Sequence, residues 1–261
     1  MSFLLATALA QTPDEIVPDE FDGVGVEERL GESVDPTLSF LDQDGNAVAL
    51  DAYLDGETPV LLTLNYYRCE TLCSLQLNAL LAGLQDLDWS AGEQFRVVTV
   101  SIDPREGPEV ASGKRANYVA EYDRGDDVQW DFLTGEPEQI KALADQVGVG
   151  FEYDPATDQF AHPAVLTFLS GDGTVSRYLY GVSYPARDLR FAFIEASEGR
   201  VGSPVDKIIL SCFRYDGTEG EYAPAALGVM RIAGALSLFG LGSLTLLMFR
   251  REKTWLSRST R

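Results

Sequence analysis

Two of the chain's three cysteines, Cys69 and Cys73, stand four residues apart in Tyr66-Tyr67-Arg68-Cys69-Glu70-Thr71-Leu72-Cys73-Ser74. A close pair of thiols supports either thiol–disulfide chemistry or the binding of a soft metal ion. The plainer alternative is two small apolar residues on one buried helical face. Position argues for chemistry. The pair directly follows the apolar run Val60-Leu61-Leu62-Thr63-Leu64, and ligands in open α/β sheets gather outside the carboxyl ends of strands. Residues at i and i+4 of a regular helix have Cβ atoms ~5–6 Å apart, whereas a disulfide wants ~3.5–4.5 Å. That separation suits a metal held between two sulfurs. Copper(I) accepts thiolates at low coordination number; a closed zinc site would ask for a fourth ligand, and the sequence offers no further Cys or His nearby.

Three more residues bear on such a site. His162 is the chain's single histidine, so any imidazole ligand must be this one, the ordinary alternative being a hydrogen-bonded histidine of the core or surface. Arg68 would stabilise a neighbouring thiolate or stand as a solvated charge. Asp103, in Ser101-Ile102-Asp103-Pro104, could orient a ligand from behind or simply end a strand ahead of proline. The third thiol, Cys212, reads as a small residue packed within the apolar stretch Ile208-Ile209-Leu210-Ser211-Cys212-Phe213.

The elements that must position these residues follow from periodicity. Apolar segments 38–41 and 47–50 flank Asp42-Gln43-Asp44-Gly45-Asn46, a hairpin signal. Residues 59–66 form a continuous apolar run of the kind that fills a strand buried on both faces. Leu72, Leu75, Leu77, Leu80, Leu81 and Leu84 then recur at mostly helical spacing. Beyond them we expect a strand at 95–102, a helix at 109–122, a strand at 128–133, a helix at 136–147 with Pro137 in its first turn, a hairpin from 164–169 and 175–180, and a helix at 185–197. The order of these elements predicts an α/β fold built on a mixed sheet.

Charge and hydropathy set the context. Forty-one acidic against 20 basic side chains give a net charge of −21, which repels phosphate backbones and argues against nucleic acid as a partner. Residues 223–249 carry one charge, Arg231, and the last 18 carry none; such a run is long enough for a transmembrane helix. Arg250, Arg251 and Lys253 follow at once, so the positive-inside bias places the carboxyl end in the cytoplasm and all that precedes the span on the periplasmic or outer side.

The thioredoxin-like order of elements, with Tyr67-Arg68-Cys69 and Cys73 as a Cys-x3-Cys motif, Ser101-Ile102-Asp103-Pro104, Phe160-Ala161-His162 and Gly171-Asp172-Gly173, resembles the SCO/SenC family. The resemblance implies a membrane-anchored copper protein that serves cytochrome c oxidase assembly. It implies one copper per chain held by Cys69, Cys73 and His162, with Arg68 and Asp103 behind them, and delivery to a copper-centre subunit or another copper protein. Residues 212–222 and the span after them resemble a subgroup with a carboxyl-terminal membrane helix. The chain departs from the family pattern at Glu70 and Ser74, where prolines are usual. The expected organisation is an apolar terminus or shortened signal at 1–10, an acidic flexible tether at 11–36, the thioredoxin-like domain at 37–199, a juxtamembrane linker at 200–222, the membrane helix at 223–249 and a basic tail at 250–261. A reading from another class makes the chain a membrane-anchored thiol:disulfide oxidoreductase that cycles Cys69 and Cys73 without metal. Its three-residue spacer, where dedicated oxidoreductases generally use two, and the matching His162 count against this.

Overall fold

The structure is a computed structural model that describes residues 23–69, 72–125, 127–201, 213–216 and 221–224. The chain divides into two units, residues 1–202 and 203–261. Within the first, β1 (Gly25–Val26), β2 (Ser39–Leu41), β3 (Ala47–Ala49) and β4 (Val60–Asn65) lead to α1 (Leu72–Gln85). They are followed by β5 (Arg96–Ser101), α2 (Pro108–Tyr122), β6 (Trp130–Leu133), α3 (Pro137–Gln146), β7 (Val149–Gly150), β8 (Glu152–Asp154) and β9 (Gln159–Ala161). Finally β10 (Val165–Leu169) and β11 (Val175–Tyr180) precede α4 (Ala186–Ser197).

A five-stranded sheet of order β11-β10-β4-β5-β6 forms the centre. Strand β4 is buried along its whole length, as an unbroken apolar run requires when helices cover both faces. Its neighbour β5 runs parallel with Asn65 beside Ser101, and β10 runs antiparallel with Leu166 beside Thr63. The consequence is spatial. The exit of β4, the exit of β5 and the entrance of β10 all lie at one edge, so residues 66–69, 102–106 and 162–164 become neighbours despite their distance in sequence.

Two apolar clusters sandwich the sheet. One contains Leu62, Leu64, Val98, Val100, Ile140 and Leu143; the other contains Leu61, Leu77, Leu80, Phe95, Trp130 and Phe193. Polar groups of the central strands pair across them: Thr63 donates to Thr99 at 3.0 Å, and Trp130 Nε1 donates to the same hydroxyl at 3.1 Å, as burial favours.

The expected elements are present within two residues of their ends, with two departures. Residues 23–36, assigned from their acidity to the flexible tether, belong with the folded unit. The amides of Glu27, Gly31 and Val34 donate to Gly148, Val175 and Gly173, and β1 pairs with β7. Glycine permits this approach: a Cβ on Gly148 or Gly150 would run into the carbonyls of Glu27 and Gly23. The second departure is the hairpin β8–β9, which the periodicity did not reveal and which leads directly into His162.

In the second unit, β12 (Phe213–Asp216) and β13 (Glu221–Pro224) pair antiparallel. The first two residues of the expected membrane span, Ala223 and Pro224, therefore lie in a strand, and the remainder of the span, the basic tail, Cys212 and residues 1–22 lie outside the described residues. Among the described residues no helix is long and apolar enough to cross a membrane.

Candidate metal centre

The chain leaves β4 through Tyr66-Tyr67-Arg68 and turns at Cys69, which is 5% exposed. Two hydrogen bonds define the turn: the Cys69 amide donates to the Tyr66 carbonyl at 3.4 Å, and the Ser74 hydroxyl donates to the Cys69 carbonyl at 2.8 Å. Helix α1 begins at Leu72, so Cys73 lies in its first turn; the side chain of Cys73, and residues 70 and 71, are outside the described set.

Beneath this turn lies Glu106, 4% exposed. Its carboxylate accepts the Tyr67 amide at 2.7 Å, the Arg68 amide at 2.7 Å and the Ser101 hydroxyl at 2.6 Å. Hydrogen bonds to a charged acceptor are stronger than neutral ones, and here two of the three fix the backbone immediately before Cys69. Tyr67 is anchored at its other end as well, its phenol donating to the Leu133 and Thr99 carbonyls. Burial, and next the Glu106 charge, raise that phenol well above its ordinary pKa. Below the turn, Asn65 donates to Gln76 at 3.0 Å and Gln76 donates to the Val165 carbonyl at 2.9 Å. That relay ties β4 and α1 to the start of β10.

His162 follows β9 and is 6% exposed. Burial lowers its pKa from the ordinary value of 6.5, so the imidazole is neutral at physiological pH, the form in which histidine ligates a metal. Its Nδ1 lies 3.2 Å from the Pro163 carbonyl. Tyr66 meets both halves of the site: its carbonyl accepts the Cys69 amide, and its ring stands edge-on to His162 at 6.2 Å and tilted against Phe160 at 5.7 Å.

Asp103 is buried, but it is committed. Arg105 grips it in a bidentate pair, Nε to Oδ1 and Nη2 to Oδ2, each 2.8 Å, which leaves its oxygens poorly placed to ligate a metal. The same guanidinium reaches the hairpin, donating to Asp158 at 2.6 Å and lying 4.9 Å from the ring centre of Tyr153. Arg68, expected beside the thiols, has an exposed side chain. A cavity of about 390 Å3 opens in front, lined by Tyr66, Arg68, Cys69, Asp103, Arg105 and Asp158 among others.

Cys69 and His162 thus come to one end of the sheet, and Asp103 lies beside them. Among the described residues no three His, Cys, Asp or Glu side chains cluster to hold a metal; the expected trio includes Cys73, whose side chain lies outside that set. The donor chemistry fits copper(I): a buried thiol and a neutral imidazole suit a soft ion. Glu106 and Arg105 escaped the reading of the sequence. The available signal was their place directly after Asp103-Pro104, at the exit of a strand parallel to the one that ends in the cysteines.

The SCO1/SenC family profile matches residues 26–190, more than half of the chain. The chain belongs to the SCO1/SenC family. No curated protein matches it significantly. Among solved structures, BsSco, described as a member of the Sco family of cytochrome c oxidase assembly proteins and as carrying a disulfide switch, is 26% identical. It aligns over 67% of this chain and 98% of its own with a TM-score of 0.51. An Aquifex aeolicus VF5 protein described provisionally as an electron transfer protein is 25% identical over 66% of this chain and 95% of its own, with a TM-score of 0.58. Copper-bound ScoI of Bradyrhizobium japonicum, 21% identical over 62% of this chain and 99% of its own at a TM-score of 0.50, shares the fold. The SCO1/SenC match covers Cys69, Cys73, Asp103 and His162 alike, and the thioredoxin-like mixed sheet is the one this family of structures displays.

Proposed function

We propose that this SCO1/SenC chain is a copper chaperone that binds one copper ion through Cys69, Cys73 and His162 and passes it to a cytochrome c oxidase copper-centre subunit or another copper protein. The observation that carries the reading is the meeting of Cys69 and His162, far apart in sequence, at one buried edge of the sheet around Tyr66. Copper is the cargo, a soft ion that thiolate and imidazole donors hold at low coordination number. Membership of the family supports this, as does BsSco, named for cytochrome c oxidase assembly.

In this reading the protein's own contribution is orientation. Glu106 and Ser74 hold the Cys69 turn, burial keeps His162 neutral, and Asp103 is kept out of the coordination sphere by Arg105. The span at 223–249 would anchor the domain, as in the subgroup with a carboxyl-terminal membrane helix, with the site on the periplasmic or outer face and residues 250–261 in the cytoplasm; the apolar run and its basic flank support this.

The reading predicts that the full chain, reduced and loaded with copper(I), retains about one copper per chain, and that Cys69→Ser, Cys73→Ser and His162→Ala each abolish tight retention. Unchanged retention by His162→Ala would overturn the three-ligand site. A second reading is supported by the disulfide switch of BsSco: Cys69 and Cys73 would cycle between dithiol and disulfide to reduce or oxidise a partner's thiols. Regeneration of thiols in an oxidase subunit fragment, without copper, would favour it.

A further inference from the structure

Residues 105 and 106 are consecutive, yet they face different halves of the site. Glu106 turns inward, with its carboxylate on the Tyr67 and Arg68 amides. Arg105 turns outward: it holds Asp103 with both arms of its guanidinium and, through Asp158, the loop between β8 and β9. That loop is connected to His162 in two ways. Strand β9 ends one residue before it, and Phe160, whose ring centre lies 5.8 Å from the Arg105 guanidinium, packs on Tyr66, which packs on His162. Tyr153 adds a further bond to Asp158 at 2.7 Å. Neither the thiol turn nor the hairpin is held to the loop after β5 by a continuous ladder, so these side chains carry the connection.

We propose that Arg105 and Glu106 are paired positioning residues, Glu106 setting the place of the Cys69 sulfur and Arg105 the place of the His162 imidazole. One dipeptide on a short loop then fixes the sulfur-to-nitrogen separation on which any shared ligand depends. What they position is the copper site proposed above, and in that respect the inference rests on that reading; the positioning itself exists without metal. Glu106 is suited to the inner task because a carboxylate can accept from several amides at once. Arg105 is suited to the outer one because its planar fork binds two carboxylates in fixed directions, which lysine cannot reproduce.

The two assignments are separable in the metal-free full chain. In a Cys73→Ser, Cys212→Ser background, alkylation reports on Cys69 alone, and the single histidine gives one set of imidazole resonances, shifted by the ring of Tyr66. Glu106→Gln removes the charge beneath the turn and leaves one amide facing an NH2 group; Cys69 alkylation should rise roughly tenfold as the loosened turn exposes the buried thiol, with the His162 resonances in place. Arg105→Lys, at a half-exposed side chain, should do the reverse: the His162 resonances move toward those of an exposed imidazole while alkylation stays within about twofold. A residue that merely supports folding would shift both signals together or neither, and either result overturns the proposal. Should Glu106→Gln fail to fold, Ser101→Ala, which removes one donor to the same carboxylate, decides the inner half: faster alkylation supports it and an unchanged rate overturns it. Copper(I) retention by the wild-type chain is scored separately. Its absence, with the two signals still moving independently, would remove the copper reading and leave the positioning intact.

Discussion

The turn that carries Cys69 and the hairpin that leads to His162 lie side by side but are held by different forces. The turn rests on buried contacts: Glu106 is 4% exposed, Tyr67 4% and Cys69 5%, and every bond of the Glu106 carboxylate is short. The hairpin rests on contacts open to water: the Asp158 side chain is 71% exposed, the Arg105 side chain 48%, and the rest is aromatic packing. Buried hydrogen bonds to a charge are costly to break, whereas exposed ion pairs contribute little and yield to salt. One half of the site is therefore built to stay in place and the other to give way. On the proposed function, which requires a ligand to be both held and released, the natural point of opening is the imidazole side.

The largest break in this comparison should come from Glu106→Ala. It would leave the Tyr67 and Arg68 amides and the Ser101 hydroxyl without their acceptor, at about 1–3 kcal/mol for each buried group left unpaired. We expect a loss of about 3 kcal/mol in denaturant unfolding, and a loss below about 0.5 kcal/mol, the range of ordinary surface substitutions, would mean that water replaces the carboxylate without penalty. Next in size is Asp158→Asn, which weakens the exposed bond to Arg105. Global stability should fall by less than about 1 kcal/mol, while amide exchange quickens in residues 152–161 and not in residues 66–69; raising the salt concentration of the wild-type protein should reproduce that pattern. Equal exchange in the two segments would erase the contrast between them.

The smallest effect is that of pH. Burial lowers the His162 pKa below 6.5, so the unfolded chain takes up a proton before the folded one does. The stability contributed by neutral His162 is fully present above about pH 6.5 and is lost as pH falls from there through the depressed folded value. A His162→Gln variant should show a flatter stability profile across that window, and an identical profile would show that the imidazole is protonated equally in both states.

The contrast also explains what could be read from the sequence. Strand β4 announced itself because six consecutive residues are buried on both faces, and helix α1 because its leucines recur every three or four positions. Cys69, Cys73 and His162 were legible as rare residue types in suggestive places. Strands β8 and β9 were not, since Glu152-Tyr153-Asp154 and Gln159-Phe160-Ala161 are three residues each, with a single aromatic apiece, too short to show a period. Residues 23–36 gave little sign of belonging to the domain because much of what holds them is backbone amides, which leave no mark on side-chain composition, and the apolar contacts of Val26, Leu30 and Val34 are scattered through an acidic stretch. Glu106 was one acid among 41 acidic side chains. Only the parallel register of β4 and β5, which sets Asn65 beside Ser101, brings it under the cysteine turn.

The most direct test of the central claim is X-ray absorption at the copper edge of the reduced, copper(I)-loaded full chain, compared with His162→Ala. The account predicts two sulfur donors and one nitrogen donor in the wild type, with the nitrogen lost in the variant. An all-sulfur site in the wild type, or a spectrum unchanged by the substitution, would contradict it.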